Sequence, residues 1–83
     1  MNNKVLVKVY VPKLELEYEM HIYVGKKIGD IILLFSKMIS DSSKGYYEYS
    51  NELLYNKITG EKYDINTTIK KTDIRNGTEL TFI

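Results

Sequence analysis

His21-Ile22-Tyr23-Val24-Gly25-Lys26-Lys27-Ile28-Gly29-Asp30-Ile31-Ile32-Leu33-Leu34-Phe35 is the stretch in which the hydrophobic pattern changes its period. Up to Val24 an apolar side chain falls on every second residue, the repeat of a half-buried strand. From Ile28 onward Ile28, Ile31, Ile32, Phe35 and Ile39 recur at the three- and four-residue steps of an amphipathic helix. Strand therefore gives way to helix across Gly25-Lys26-Lys27. Asp30 lies in the first helical turn, where a negative charge suits the helix dipole. Leu34 and Met38 are expected to widen the buried stripe and Leu33 to face solvent. Ser40-Asp41-Ser42-Ser43 should end the helix, because these side chains compete for backbone hydrogen bonds.

Upstream, Leu14, Leu16, Tyr18, Met20, Ile22 and Val24 alternate with Glu15, Glu17, Glu19, His21 and Tyr23, a strand with one charged face. Before it, Val5, Val7, Val9 and Val11 alternate with Leu6, Lys8 and Tyr10, and β-branched residues at this period favour a strand. Pro12-Lys13 separates the two as a turn, which predicts an antiparallel hairpin. Its register sets Lys8 opposite Glu17 or Glu19, a pair contributing about 0.2–1 kcal/mol. Downstream, a polar loop over 44–51 leads to a third strand at Leu53–Ile58, a turn at Thr59-Gly60 and a short fourth strand at Glu61–Asp64. Ile65, Ile69 and Ile74 should anchor an irregular segment, and Tyr18 and Tyr63 should join the core. Asn76-Gly77 signals a turn before a final strand over Thr78–Ile83.

Eighty-three residues suit one domain, 1–83. The 43% apolar and 28% charged content is that of a globular chain rather than a disordered one. No cysteine is present, which excludes disulfides, thiolate metal sites and a cysteine nucleophile. A net charge of +1, with no basic block, argues against nucleic acid as a partner. The like-charge pairs Lys26-Lys27 and Lys70-Lys71 read as solvated element boundaries. The N-terminus runs from Met1-Asn2-Asn3-Lys4 straight into a strand pattern, and the longest apolar stretch is Ile31–Phe35. A cytoplasmic location without membrane insertion is expected from these features, since about 20 apolar residues span a bilayer.

The order is hairpin, helix, strand, short strand, irregular segment, strand. One helix must cover the apolar face of one sheet, since neither element can bury its apolar side alone. This is the β-grasp order: an α+β fold with a mixed sheet of four to five strands, the last strand pairing beside the first in the middle. The acid-rich second strand suits an edge. Tyr63, Thr68-Ile69, Asp73-Ile74, Asn76-Gly77-Thr78 and Leu80 resemble the turn, buried isoleucine and closing strand of ubiquitin-like proteins. With Lys26-Lys27 two residues before Asp30-Ile31, the chain is similar to the bacterial YukD/EsaB family, which accompanies type VII secretion systems. That resemblance implies a cytoplasmic protein partner belonging to a secretion machine. Conjugated relatives and sulfur carriers end in a flexible Gly-Gly, whereas this chain reads Leu80-Thr81-Phe82-Ile83 within a strand. Taken as a full protein, residues 1–83 are expected to be neither modifier nor sulfur carrier.

Catalysis finds little support. His21 is the sole imidazole and falls on the outer strand face, so it has no histidine neighbour with which to bind metal and leaves the serines without a base. Glu15, Glu17 and Glu19 lie on an open face, not in the cleft that general acid chemistry needs. Neither cofactor nor metal is expected, and no enzyme activity. Aromatic residues are enriched at binding hot spots. Leu6, Tyr10, Tyr23 and Ile83 are expected to form one apolar patch on the open sheet face, similar in placement to the surface by which ubiquitin is recognised. Tyr46, Tyr47 and Tyr49 in the long loop are a second candidate surface. A homodimer burying the same face, or less favourably a small carrier, is the alternative to an interaction module.

Overall fold

The alternating valines form strand β1 (Lys4–Val11), in which Val7, Val9 and Val11 are fully buried. The computed structural model describes residues 3–42 and 51–83. Pro12 opens a 3-10 turn, Pro12–Leu14, closed by Glu15 at φ 54° with its N–H on the Pro12 carbonyl at 3.1 Å. Leu14 therefore belongs to the turn and not to the strand expected to hold it. β2 (Leu16–Tyr23) then runs back antiparallel, with Lys8 opposite Glu19, Tyr10 opposite Glu17 and Lys4 opposite Tyr23.

Helix α1 (Ile28–Ser42) runs into the expected serine cluster, as far as the described residues extend, and buries Ile28, Ile31, Phe35 and Ile39. Its first N–H groups, which no helical turn can satisfy, go to loop carbonyls: Ile28 to Thr67 at 2.9 Å and Gly29 to Ile65 at 2.9 Å. A β-carbon on Gly29 would stand 3.2 Å from the Ile65 oxygen, so the close approach favours glycine there. Leu33 is exposed as expected. Leu34 and Met38 are exposed too, at 44% and 41%, which corrects the wider stripe. They sit on the flank of the helix, and Leu34 lies beside Ile22 and Tyr23 of edge strand β2, where among the described residues no further strand covers it.

β3 is short, Leu54–Asn56, because Asn56 Oδ1 accepts the N–H groups of Ile58 (2.9 Å) and Thr59 (3.0 Å) and turns the chain out of the ladder. The fourth strand expected at Glu61–Asp64 is reduced to one bridge, Tyr55 to Lys62. Ile69 and Ile74 are buried anchors, with a 3-10 turn over Ile69–Lys71. Ile65 is 48% exposed: it contributes its carbonyl, not its side chain. β4 (Glu79–Phe82) closes the sheet in the order β2-β1-β4-β3, parallel to β1 and antiparallel to β3. The last strand lies in the middle beside the first. Phe35 of α1 meets Phe82 of β4 edge-on at 5.9 Å, tying helix to sheet at the centre of the core.

Candidate functional site on the open face of the sheet

Strand alternation sends every second residue away from α1, and the register aligns these residues in rows across the four strands. The row through Lys8 places Glu19 on one side and Glu79 on the other, with Lys57 carried on by its backbone bond to Glu79 (3.0 Å). The next row is Glu17, Tyr10, Thr81 and Tyr55. The Lys57 ammonium ties the two rows together. It stands 3.7 Å from Glu17 Oε2, 3.8 Å from Glu79 Oε1 and 5.1 Å from the centre of the Tyr10 ring. It thus links β3's end to the edge strand β2 across the sheet. Such half-exposed ion pairs contribute about 0–1 kcal/mol each, so their main effect is to fix where side chains lie.

This charged row divides the patch expected from the sequence. Tyr10 and Ile83 lie toward one end, with Ile83 55% exposed and paired by backbone to Leu53. Leu6 and Tyr23 lie toward the other, as diagonal neighbours across the Leu6–His21 and Lys4–Tyr23 pairs. Tyr23 is 52% exposed, with the Lys4 ammonium 5.0 Å over its ring. The four residues share one face but form two patches. The reason is the register: Tyr10 pairs with Glu17, six residues along the strand from Tyr23. Tyr55 and Thr81, which complete the Tyr10 row, were missed. The sequence around Tyr55 carries a strand signal, but its parity becomes informative only once Leu54 is known to be buried. Tyr46, Tyr47 and Tyr49 lie outside the described residues.

His21 is exposed on the same face opposite Leu6. Tyr18 and Tyr63 pack partly buried against the core. The Tyr63 hydroxyl donates to Asp73 Oδ1 at 2.7 Å and accepts from Asn56 Nδ2 at 3.2 Å. Burial, with the bond to the Asp73 carboxylate second, pushes the phenol up from 10.0 to about 12. This network joins the 56–63 turn to the segment before β4. Among the described residues, no helix is long and apolar enough to cross a membrane.

No family model matches the chain, and no curated protein matches it. Solved structures do. The EccD5 ubiquitin-like domain from Mycobacterium xenopi superposes with a TM-score of 0.80 at 10% identity, over 99% of this chain and 94% of that one. A chain of the MycP5-free ESX-5 inner membrane complex gives 0.71 at 12% identity over 99% of this chain, which spans 21% of that one. A structure concerned with molecular mimicry of SUMO in DNA repair gives 0.73 at 16% identity, over 100% and 94%. At these identities the likeness is one of fold. The fold is the ubiquitin-like β-grasp.

Proposed function

We propose that this chain works by binding another protein, as a non-catalytic ubiquitin-like module, and that its open sheet face makes the contact. The observation that carries the reading is the row of Tyr10, Thr81 and Tyr55 beside exposed Ile83, bounded by the Glu19–Lys8–Glu79–Lys57 row. Aromatic contact area rimmed by charge is the composition of a protein-binding surface. The resemblance to the YukD/EsaB family, together with the likeness to EccD5 and to a chain of an ESX-5 inner membrane complex, supports a bacterial type VII secretion system as the setting. The module then works on the cytoplasmic side, as an accessory or regulator.

The test is affinity capture from the native cytoplasm with wild-type protein, Tyr10→Ala and Tyr55→Ala, each checked for folding by circular dichroism. A secretion component retained by the wild type and lost by folded Tyr10→Ala is expected. Equal capture by both variants rejects the sheet face, and captured proteins with no secretion component among them reject the setting. Sedimentation at rising concentration addresses the homodimer, which a monomer throughout eliminates.

A further inference from the structure

Lys26-Lys27 and Lys70-Lys71 lie more than forty positions apart in sequence, and each pair alone reads as a solvated boundary. The fold brings them together. Ile69 N–H donates to the Lys26 carbonyl at 2.8 Å, Lys70 N–H donates to the Val24 carbonyl at 2.9 Å, and Lys27 bridges to Thr68. Lys26 and Lys70 then line one shallow depression with Asn3, Tyr23, Val24 and Gly25. Lys4, over the Tyr23 ring, adds a third cation at its rim. Lys27 and Lys71 are the next residues along. Among the described residues, Lys26, Lys27, Lys70 and Lys71 form no ion pair. The N-terminus of α1 opens directly after Lys27 and adds its partial positive charge, offset by Asp30 in the same turn. Toward the other end of the hairpin Glu17 and Glu19 face lysines instead, Glu17 the Lys57 ammonium at 3.7 Å and Glu19 the cross-strand Lys8. Among the described residues, a chain of net charge +1 thus gathers four lysines that form no ion pair at one end of its hairpin.

We propose that this lysine-lined depression at the β2–α1 end is a second docking surface, and that its occupant is an acidic segment of a partner protein. Three observations select that occupant. The depression is shallow, but it lies between Tyr23–Lys26 and Lys70 and gives an extended chain a bed along which both lysines can be met. Asp30 flanks Lys26, and Asp73 follows Lys71 by two residues, so negative charges intersperse the cations; a uniformly negative surface meets them, whereas a segment passes between. The cations are lysines, point charges that suit carboxylates spread along a mobile chain more than one fixed group. The one arginine, Arg75, is engaged with the Thr72 and Ile74 carbonyls, each at 2.8 Å. This surface is distinct from the Tyr10 row and stands if the sheet-face reading fails.

The experiment titrates a short polyglutamate peptide into isotope-labelled protein and follows amide resonances, with a polylysine peptide as control and anionic phosphatidylglycerol vesicles as a separate arm. Expected are peptide-induced shifts centred on Tyr23–Lys27 and Thr68–Lys71. The affinity should fall at least about tenfold between about 50 mM and about 300 mM salt. The Lys26→Glu/Lys70→Glu double variant, whose side chains are exposed, should keep the wild-type spectrum and lose the binding, while Tyr10→Ala keeps it. Shifts elsewhere, or undiminished binding by the double variant, overturn the proposal. So does lysine-dependent binding to vesicles without binding to the peptide, which assigns the patch to a membrane surface.

Discussion

Asn76 and Gly77 show how much one turn asks of two residues. Thr78 N–H closes the turn onto the Arg75 carbonyl at 3.1 Å, and Gly77, third of the four residues, sits at φ 88°. That is the position where a type II turn requires a left-handed residue. Asn76 Oδ1 accepts the Leu6 N–H at 2.8 Å and the Gly77 N–H donates to the Leu6 carbonyl at 2.8 Å, so the turn also docks on β1. Gly77→Ala should lower stability by about 1–2 kcal/mol through backbone strain. Gly25→Ala, where an added β-carbon meets nothing within 4 Å and φ is not left-handed, should change it by less than about 0.5 kcal/mol. Urea midpoints decide, and equal effects would remove the strain argument. Tyr63 makes a pH-dependent statement at the same scale. Its folded pKa lies above its unfolded value, at about 12 against 10.0, so the fold holds the neutral phenol. The resulting stabilisation is complete below pH 10 and is lost as pH rises toward 12. Tyr63→Phe should flatten the alkaline stability loss over that window, and an unchanged slope would show that Tyr63 does not cause it.

At the scale of elements, α1 holds the sheet by one face, and the faces are unequal. Phe35 is fully buried against Phe82, while Leu33 is 57% exposed. Phe35→Ala should cost about 3–5 kcal/mol, from lost burial and the cavity it leaves. An 83-residue fold has a total of roughly 4–12 kcal/mol, so this variant stands near unfolding. Leu33→Ala should stay within about 0.5 kcal/mol. Comparable losses in thermal melts would mean that the helix is seated on another face. The elements were largely legible beforehand, because strand alternation and helical spacing are local. β1, β2, α1 and β4 lie where their periods put them. The misses share a cause. Leu34 and Met38 have core-type side chains on a flank that no fifth strand covers among the described residues, and β3 stops at Asn56 because a side-chain oxygen captures the next amides. Neither the width of the sheet nor a hydrogen bond's partner is a property of local pattern.

At the scale of the whole molecule, Lys57 is the clearest case of a residue whose role exists only in the assembled sheet. It meets Glu17, Tyr10 and Glu79, contributed by three strands, from the end of the fourth. Lys57→Met keeps most of the stem and removes the charge. It should cost up to about 1 kcal/mol at low salt and less as salt screens the pairs. An identical loss at low and high salt would show packing, not charge, to be what Lys57 supplies. The candidate surfaces divide in the same way. That Tyr10, Tyr23, Leu6 and Ile83 share an outward face was readable from alternation alone; that Lys8, Glu19, Glu79 and Lys57 cut the face in two was not.

By itself the amino-acid order determined the kind and sequence of elements, and so the β-grasp arrangement, because periodicity, turn residues and the need to bury one face act over a few residues at a time. Only the tertiary structure decided which charges meet. Register places Lys8 against Glu19 rather than Glu17, and backbone pairing of Val24 and Lys26 with 69–70 gathers two lysine pairs at one end. Electrostatic potential depends on distance through space. A chain whose composition shows near balance acquires a local cluster of cations only when folding sets those distances.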